Sequence, residues 1–247
     1  MGLPLNVKAG NDGLPMKTFR GFLLDADNTL LDYNRAEREA FLQAVVPALP
    51  GVPPEQARLA YGRINAEHWA RFERGEITAG QLKLGRFQAL LDSFGLQADP
   101  AGLSRVYLEA LSAKAFFLPH AREVLEELSR QAALCLITNG LTLVQRGRIR
   151  ASGMGRFFSA ILISEEVGIA KPDPGFFRLA SEALALPASE LLCVGDNPTA
   201  DIGGARGAGI AGCWYNPAGG AWPGPGDPPE RTIADLRELL GFAEPGA

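Results

Sequence analysis

Histidine and cysteine are scarce: the 247 residues include two histidines and three cysteines. With only His68 and His120, a three-histidine zinc site is impossible, and neither lies in a metal-ligand spacing, so each is expected on a helix surface or at a helix start. Cys135, Cys193 and Cys213 each fall inside an apolar run. An odd number without paired spacing argues against a disulfide framework and for reduced core residues. No apolar stretch approaches the roughly 20 residues that a spanning helix needs. The first residues also lack the basic-then-apolar order of a secretory signal, so a cytoplasmic chain with no membrane partner is expected. Basic excess is missing as well, since the net charge is -4 and no basic run interrupts the pattern. That leaves no electrostatic footprint for a nucleic acid polymer, and any nucleotide ligand should be small. Disorder is not the default either, because 47% hydrophobic content over this length fills one large core, or a core with a smaller inserted one.

What the chain does have is an apolar run that stops at carboxylates. Phe22-Leu23-Leu24-Asp25-Ala26-Asp27-Asn28-Thr29-Leu30 reads as a buried strand delivering Asp25 and Asp27 to a sheet edge, where open α/β sheets place their chemistry. Alternate residues of an extended chain project to one side, so both carboxylates address one ligand if the strand geometry persists to Asp27.

Before Phe19 the sequence is rich in Gly, Pro and Asn without periodicity, and Met16 resembles a second start, so residues 1–18 are expected to form a tail. From about Arg35 to Lys114 the pattern is helical, broken at Pro47 to Pro54, Gly75 to Thr78 and Gly95 to Pro100, which predicts four helices. Thr78 with Gln81 forms a capping-box signature, and Asp99 with Pro100 marks another helix start. Strand and helix then alternate, with strands at Ala133 to Thr138, Ala160 to Ser164, Leu191 to Gly195 and Ile210 to Tyr215. Helices are expected at about Ala121 to Arg130, after Thr142, from Asp173-Pro174 and, laced with glycine, near Ala200. The stretch Pro217 to Pro229 reads as a loop, and Asp235 with Glu238 opens a last helix that turns Leu236, Leu239 and Leu240 inward. The fold class expected is α/β: a doubly wound parallel sheet with an inserted all-helical unit.

Three more strand ends finish in polar residues: Thr138-Asn139-Gly140, Lys171-Pro172-Asp173, and Gly195-Asp196-Asn197 with Asp201 nearby. If Asp25, Asp27, Asp196 and Asp201 gather at one edge, each close pair costs roughly 4 kcal/mol at an effective dielectric near 20. A hard divalent cation resolves that repulsion, and Mg²⁺ suits carboxylates plus a substrate phosphate. Lys171 adds a positive charge, Thr138 a hydroxyl, and the Asn139 and Gly140 amides suit phosphoryl oxygens.

These four segments, in this order, resemble the motifs of haloacid dehalogenase-like hydrolases, and the likeness covers nearly the whole chain past Arg20. The runs Ile137 to Leu141, Ile163 to Pro172 and Val194 to Asn216 look most like the house-cleaning pyrimidine 5′-nucleotidases. The resemblance implies a Rossmann-like core over 19–32 and 116–247 and a helical cap over 33–115. It implies Asp25 as the nucleophile that forms an aspartyl phosphate, and Asp27 as general acid and base whose backbone carbonyl meets Mg²⁺. Asp196 would be a further ligand, Asp201 a ligand or its orienter, and Thr138 and Lys171 would hold the phosphoryl oxygens. The substrate implied is a small phosphate monoester, most of all a nucleoside 5′-monophosphate. A sugar-phosphate or phosphoglycolate-like phosphatase is the alternative enzyme, and a non-catalytic binding module the alternative of another kind. In the insertion, Trp69, Phe72 and Phe87 offer stacking faces and Arg71 and Arg86 offer donors to a base, although aromatics at helical spacing ordinarily fill a core.

Overall fold

Residues 22 to 24 are apolar without alternation because both faces of their strand are covered. In a computed structural model, which describes residues 17–244, β1 (Gly21–Asp25) is buried along its whole length. Phe22 and Leu24 join one hydrophobic cluster and Leu23 another, as the two-residue period of a strand requires. Beside β1 lie β2 (Ala133–Thr138) and β4 (Leu191–Gly195), followed outward by β3 (Ala160–Ile163), β5 (Ala211–Tyr215) and β6 (Arg231–Ile233). The order is β3-β2-β1-β4-β5-β6 and every pairing is parallel. This order has its topological switch point between β1 and β4, where a crevice opens at the carboxyl ends of the strands.

Helices cover both faces. The first cluster packs α5 (Ala121–Gln131) through Val124, Leu125 and Leu128 against Phe22, Leu24, Leu134 and Leu136. The second packs Phe176, Phe177 and Ala180 of α8 (Pro174–Leu184), with Ala205 of α9 (Gly204–Gly207), against Leu23, Cys135, Ile137 and Cys193. All three cysteines are free and buried. Burial pushes the Cys135 thiol up to about 12, as expected of an inert core residue.

Between β1 and α5 come four long helices: α1 (Tyr33–Ala44), α2 (Pro54–Glu73), α3 (Ala79–Ser93) and α4 (Pro100–Ser112). The Thr78–Gln81 capping box opens α3, and the Asp99 carboxylate caps α4 through the amides of Ala101 and Gly102. These helices enclose their own core around Phe41, Tyr61, Phe87 and Tyr107. The two chain segments that connect them to the sheet pair with each other: Asp32 N donates to Phe116 O, and Leu118 N donates to Leu30 O. Leu141 and Val144, at the start of α6 (Thr142–Ser152), reach from the sheet side into the helical core.

The sequence pattern and the structure differ in four places. A sixth strand, β6, follows the Pro/Gly-rich loop; it has only three residues and pairs only with β5, too short to show a period. Ser164 ends no strand but starts a single turn, α7 (Ser164–Val167). The glycine-laced helix near Ala200 begins as a π-helical segment, Pro198–Gly203, before α9. The last helix is of the 3-10 type over Leu236–Phe242, with Leu236 and Leu239 buried and Leu240 half-buried. The second start at Met16 and the first 16 residues of the expected tail lie outside the described residues, and residues 17 and 18 carry no regular structure. Among the described residues, no helix is long and apolar enough to cross a membrane.

Candidate active site

Asp25 is the last residue of β1 and sits at the switch point, 6% exposed. Its Oδ2 accepts from Thr29 Oγ1 at 3.0 Å, and its Oδ1 from Lys171 Nζ at 2.6 Å. Thr29 stands on the turn that follows, where Asn28 takes a positive φ of 60°, a conformation asparagine tolerates. The same Thr29 hydroxyl accepts from the Asp196 amide at 3.1 Å, joining the ends of β1 and β4.

The end of β4 is shaped by Asn197. Its side chain accepts from the amides of Thr199 and Ala200, starting the π-helical segment that turns Asp201 back toward the strand. Asp201 is 1% exposed; its Oδ2 accepts from Asn197 N at 3.0 Å and its Oδ1 from Lys171 Nζ at 2.6 Å. A Cβ at Gly195 would overlap that carboxylate, so only glycine permits the approach. Lys171 is held in place through its backbone, with Asn139 donating Nδ2 to Lys171 O at 2.8 Å and accepting from Lys171 N at 2.9 Å.

Asp25, Asp196 and Asp201 thus each offer an oxygen within 4.8 Å of the others. Burial raises the Asp25 carboxyl well above its ordinary value; Lys171 opposes the shift, and Asp201, Asp196 and Asp27 add to it. Burial, then Asp201, pushes Asp196 up to about 6. Burial alone would lower the Lys171 ammonium, but the Asp201 and Asp25 carboxylates outweigh it and hold the group above the usual lysine range. Three carboxylates against one ammonium leave two negative charges in excess. The Asp196 carboxylate accepts no hydrogen bond from any other described residue, and the donor set is all hard oxygen. A divalent cation such as Mg²⁺ fits both the charge and the ligand type.

Asp27 does not join this cluster through its side chain. The strand stops at Asp25, and Asp27 turns to α6, where its Oδ1 accepts from Arg148 Nη1 and its Oδ2 from Gln145 Nε2 at 2.7 Å. Gln145 Nε2 also donates to Thr138 Oγ1 at 2.9 Å. Thr138, at the end of β2, is buried at 1% exposure. Arg148 is fully buried, and its Nε donates to Lys114 O at 3.2 Å, at the end of the helical unit. The sequence reading missed Gln145 and Arg148. A signal was present, since Leu141, Val144, Gln145 and Arg148 follow an i, i+3, i+4, i+7 stripe whose apolar members mark the buried face.

The Gly140 amide, expected to meet a phosphoryl group, donates to Ser164 Oγ at 3.0 Å in this structure. What Gly140 supplies is space, because a Cβ there would lie 2.8 Å from Gln145 Nε2. The Asn139 side chain is likewise spent on Lys171, although Asn139 still lines the carboxylate cavity.

That cavity, about 200 Å³, is lined by Asp25, Asp27, Thr138, Lys171, Asp196 and Asp201 among others. A second, of about 240 Å³, lies between α2, α3 and α6 and includes Tyr33, Asn65, Trp69 and Arg86. Asp27, Glu73 and Asn139 line both, so the two spaces adjoin there. Of the stacking candidates, Phe87 is fully buried in the helical core with its ring 5.4 Å from that of Tyr61. Trp69 lines the second cavity, with Phe72 packed edge-on behind it at 5.8 Å. Arg71 sits at the helix end against Glu76, away from either space.

A model of the haloacid dehalogenase-like hydrolase family matches residues 19–209. The putative HAD-hydrolase YfnB of Bacillus subtilis (strain 168) is 34% identical over 207 residues, 82% of this chain and 86% of that protein. The pyrimidine 5′-nucleotidase YjjG of Escherichia coli (strain K12) is 34% identical over 180 residues, 72% of this chain and 79% of that protein. The crystal structure of YfnB bound to magnesium matches with a TM-score of 0.80 at 33% identity, covering 91% of this chain and 98% of that one. From its four sequence motifs, its sheet order and these relatives, this chain belongs to the haloacid dehalogenase-like hydrolase family.

Proposed function

We propose that this chain is a Mg²⁺-dependent, cytoplasmic phosphatase that hydrolyses a small phosphate monoester, a nucleoside 5′-monophosphate, through a phospho-aspartate, with residues 33–115 as its cap. The observation that carries the proposal is the position of Asp27, on the boundary between the carboxylate cavity and the cap cavity. A leaving oxygen bound to phosphorus at Asp25 with its organic group in the cap cavity passes Asp27. Cleaving a carbon–halogen bond asks for no such acid, whereas expelling an alkoxide does.

In the first step an Asp25 oxygen attacks phosphorus. The bond to the leaving oxygen breaks, and that oxygen takes a proton from Asp27. In the second, Asp27 removes a proton from water, which attacks the phosphorus of the aspartyl phosphate and restores Asp25. Lys171 holds Asp25 for attack and places positive charge beside the phosphoryl oxygens, and the Thr138 hydroxyl is within the same cavity to donate to one of them. Asp25, Asp196, Asp201 and the Asp27 backbone carbonyl would hold the metal, with Asp201 also fixing Lys171. Bound Mg²⁺ supplies charge neutralisation on the transferring group. Gln145 and Arg148 fix the Asp27 carboxylate between its two tasks. The nucleotidase relative YjjG favours a nucleoside monophosphate among the monoesters. The test is phosphate release from a panel of pyrimidine and purine nucleoside monophosphates, sugar phosphates and phosphoglycolate, with Mg²⁺ and with chelator. Metal-dependent release that is fastest from a nucleoside monophosphate is expected. Far faster release from sugar phosphates or phosphoglycolate overturns the nucleotidase reading, and no release from any substrate overturns the phosphatase reading.

A further inference from the structure

Arg86 is buried in the cap but only partly used. It is 2% exposed, and its Nη1 donates to Asn65 Oδ1 at 2.8 Å. Its Nε and Nη2 reach no acceptor among the described residues. These two N–H groups form one edge of the planar guanidinium and point in parallel, a fork made for acceptors. The Phe87 and Tyr107 rings lie 5.2 and 5.4 Å from the guanidinium carbon and keep water from it. Desolvating donors without partners is costly, and a protein tolerates it where a ligand completes the set. Arg86 lines the cap cavity, so the ligand that completes it is the one that enters there.

The rest of the cavity narrows what that ligand is. Asn65, Trp69 and Glu73 stand at i, i+4 and i+8 on α2, one above another on the face that lines the space. Trp69 supplies an aromatic wall and Glu73, at the junction with the carboxylate cavity, an acceptor. The Asp27 charge is matched by Arg148 behind it and Glu73 offsets Arg86 in the lining, so no positive charge is left over in the space; Glu37, near enough to Arg86 to feel it, weighs further against an anion. A leaving group with a carboxylate or a second phosphate would need a cation that is not balanced. The space by itself, about 240 Å³ and below the roughly 300–1,000 Å³ of pockets for drug-sized ligands, suits one ring better than two, although Trp69, Glu73 and Asn139 also line a neighbouring space of about 590 Å³.

We infer that Arg86, oriented by Asn65, determines leaving-group specificity by donating its free edge to a carbonyl of an uncharged pyrimidine base, which lies against Trp69 and gives its ring N–H to Glu73. The inference rests on the nucleotidase reading and goes past it by naming the residues that read the base. The experiment measures kcat/KM with saturating Mg²⁺ for uridine 5′-monophosphate and for ribose 5-phosphate, which keeps the phosphoryl group and sugar but has no base. Their ratio in Arg86→Met, which has similar length and no donors, is expected to fall ten- to hundredfold below wild type, the scale of lost hydrogen bonds to a charged group. Asn65→Ala should lower the same ratio by a smaller factor. If Arg86→Met does not fold, Arg86→Lys answers instead, since it keeps the charge but lacks the two-donor edge and should also lose the preference. A ratio within twofold of wild type in the folded Arg86 variant overturns the inference, whether both rates are kept or both fall together. Wild-type protein that hydrolyses ribose 5-phosphate but no nucleoside monophosphate overturns the nucleotidase reading itself and the inference with it, and shows this before any variant is made.

Discussion

Consider Asp25→Asn and Asp27→Asn made separately and followed by thermal unfolding in excess chelator, so that no metal contributes. Both changes remove one carboxylate and keep its shape, and both should abolish most turnover. Their effects on stability should differ widely. The ionised form of Asp25 is disfavoured by burial and by three neighbouring aspartates, and Lys171 keeps a second partner in Asp201. Removing that charge should therefore cost less than about 1 kcal/mol, a shift in Tm of no more than about 4 °C for a chain of this size. Asp27 is the counter-ion of Arg148, whose side chain has no exposure at all. The remaining acceptors of Arg148 are Lys114 O at 3.2 Å and Gln145 Oε1 at 3.3 Å, and its Nη2 has no partner among the described residues. Breaking a buried pair by deleting one member costs roughly 3–5 kcal/mol. An asparagine oxygen retains part of the bond, so about 2–4 kcal/mol and a fall in Tm of roughly 5–15 °C are expected. Adding Arg148→Met to Asp27→Asn should recover much of that loss, because it removes the stranded charge, and the resulting double-mutant cycle measures the coupling. Equal Tm values for the two asparagine variants, or a double variant less stable than Asp27→Asn alone, would refute the reasoning.

Three further outcomes are expected. Mg²⁺ at about 100 times its Kd should raise the Tm by roughly 5–10 °C by binding only the folded state, and Asp196→Ala should abolish most of that rise; calorimetry with and without chelator checks both. Gly195→Ala should lower kcat about a hundredfold or more, because the new methyl displaces the Asp201 carboxylate and Lys171 with it; a rate within threefold of wild type would contradict the close approach. Glu165→Ala should destabilise more than Lys83→Ala, since Glu165 both pairs with Lys83 at 2.7 Å and accepts from the Thr142 amide at the start of α6 at 2.6 Å; each loss should be near or below about 1 kcal/mol, and the reverse order in chemical denaturation would argue against that cap.

The strand ends were legible because parallel strands buried on both faces read as plain apolar runs, and their polar termini stand out against them. Leu23 facing α8 and Leu24 facing α5 give no alternation to misread. The cap helices were legible for a different reason: Thr78, Asp99 and Pro100 carry the chemistry of helix starts in their own side chains. β6 was not, because three residues on a sheet edge satisfy no period. The directions of single side chains were not legible either. The pattern -Asp-X-Asp- suggested two carboxylates projecting to one side, but the turn at Asn28 follows too soon, and the Asp27 side chain turns to Arg148 and Gln145 while still lining the Asp25 cavity.

Arg148 shows why such a group escapes a reading of patterns. In sequence it is one arginine among several on a helix of moderate polarity, and an arginine is ordinarily exposed. Its burial follows from groups at the two ends of the helical insertion: the Asp27 carboxylate and the Tyr33 ring, 5.5 Å from the guanidinium, where the chain leaves β1, and the Lys114 carbonyl where it returns after α4. Only when the Leu30–Asp32 and Phe116–Leu118 crossings pair do they close around it. The position of Asp27 between the two cavities is therefore fixed by the same contacts that fix where the inserted helices meet the sheet, and, on the proposed function, a substitution at that crossing should alter proton transfer as well as substrate binding.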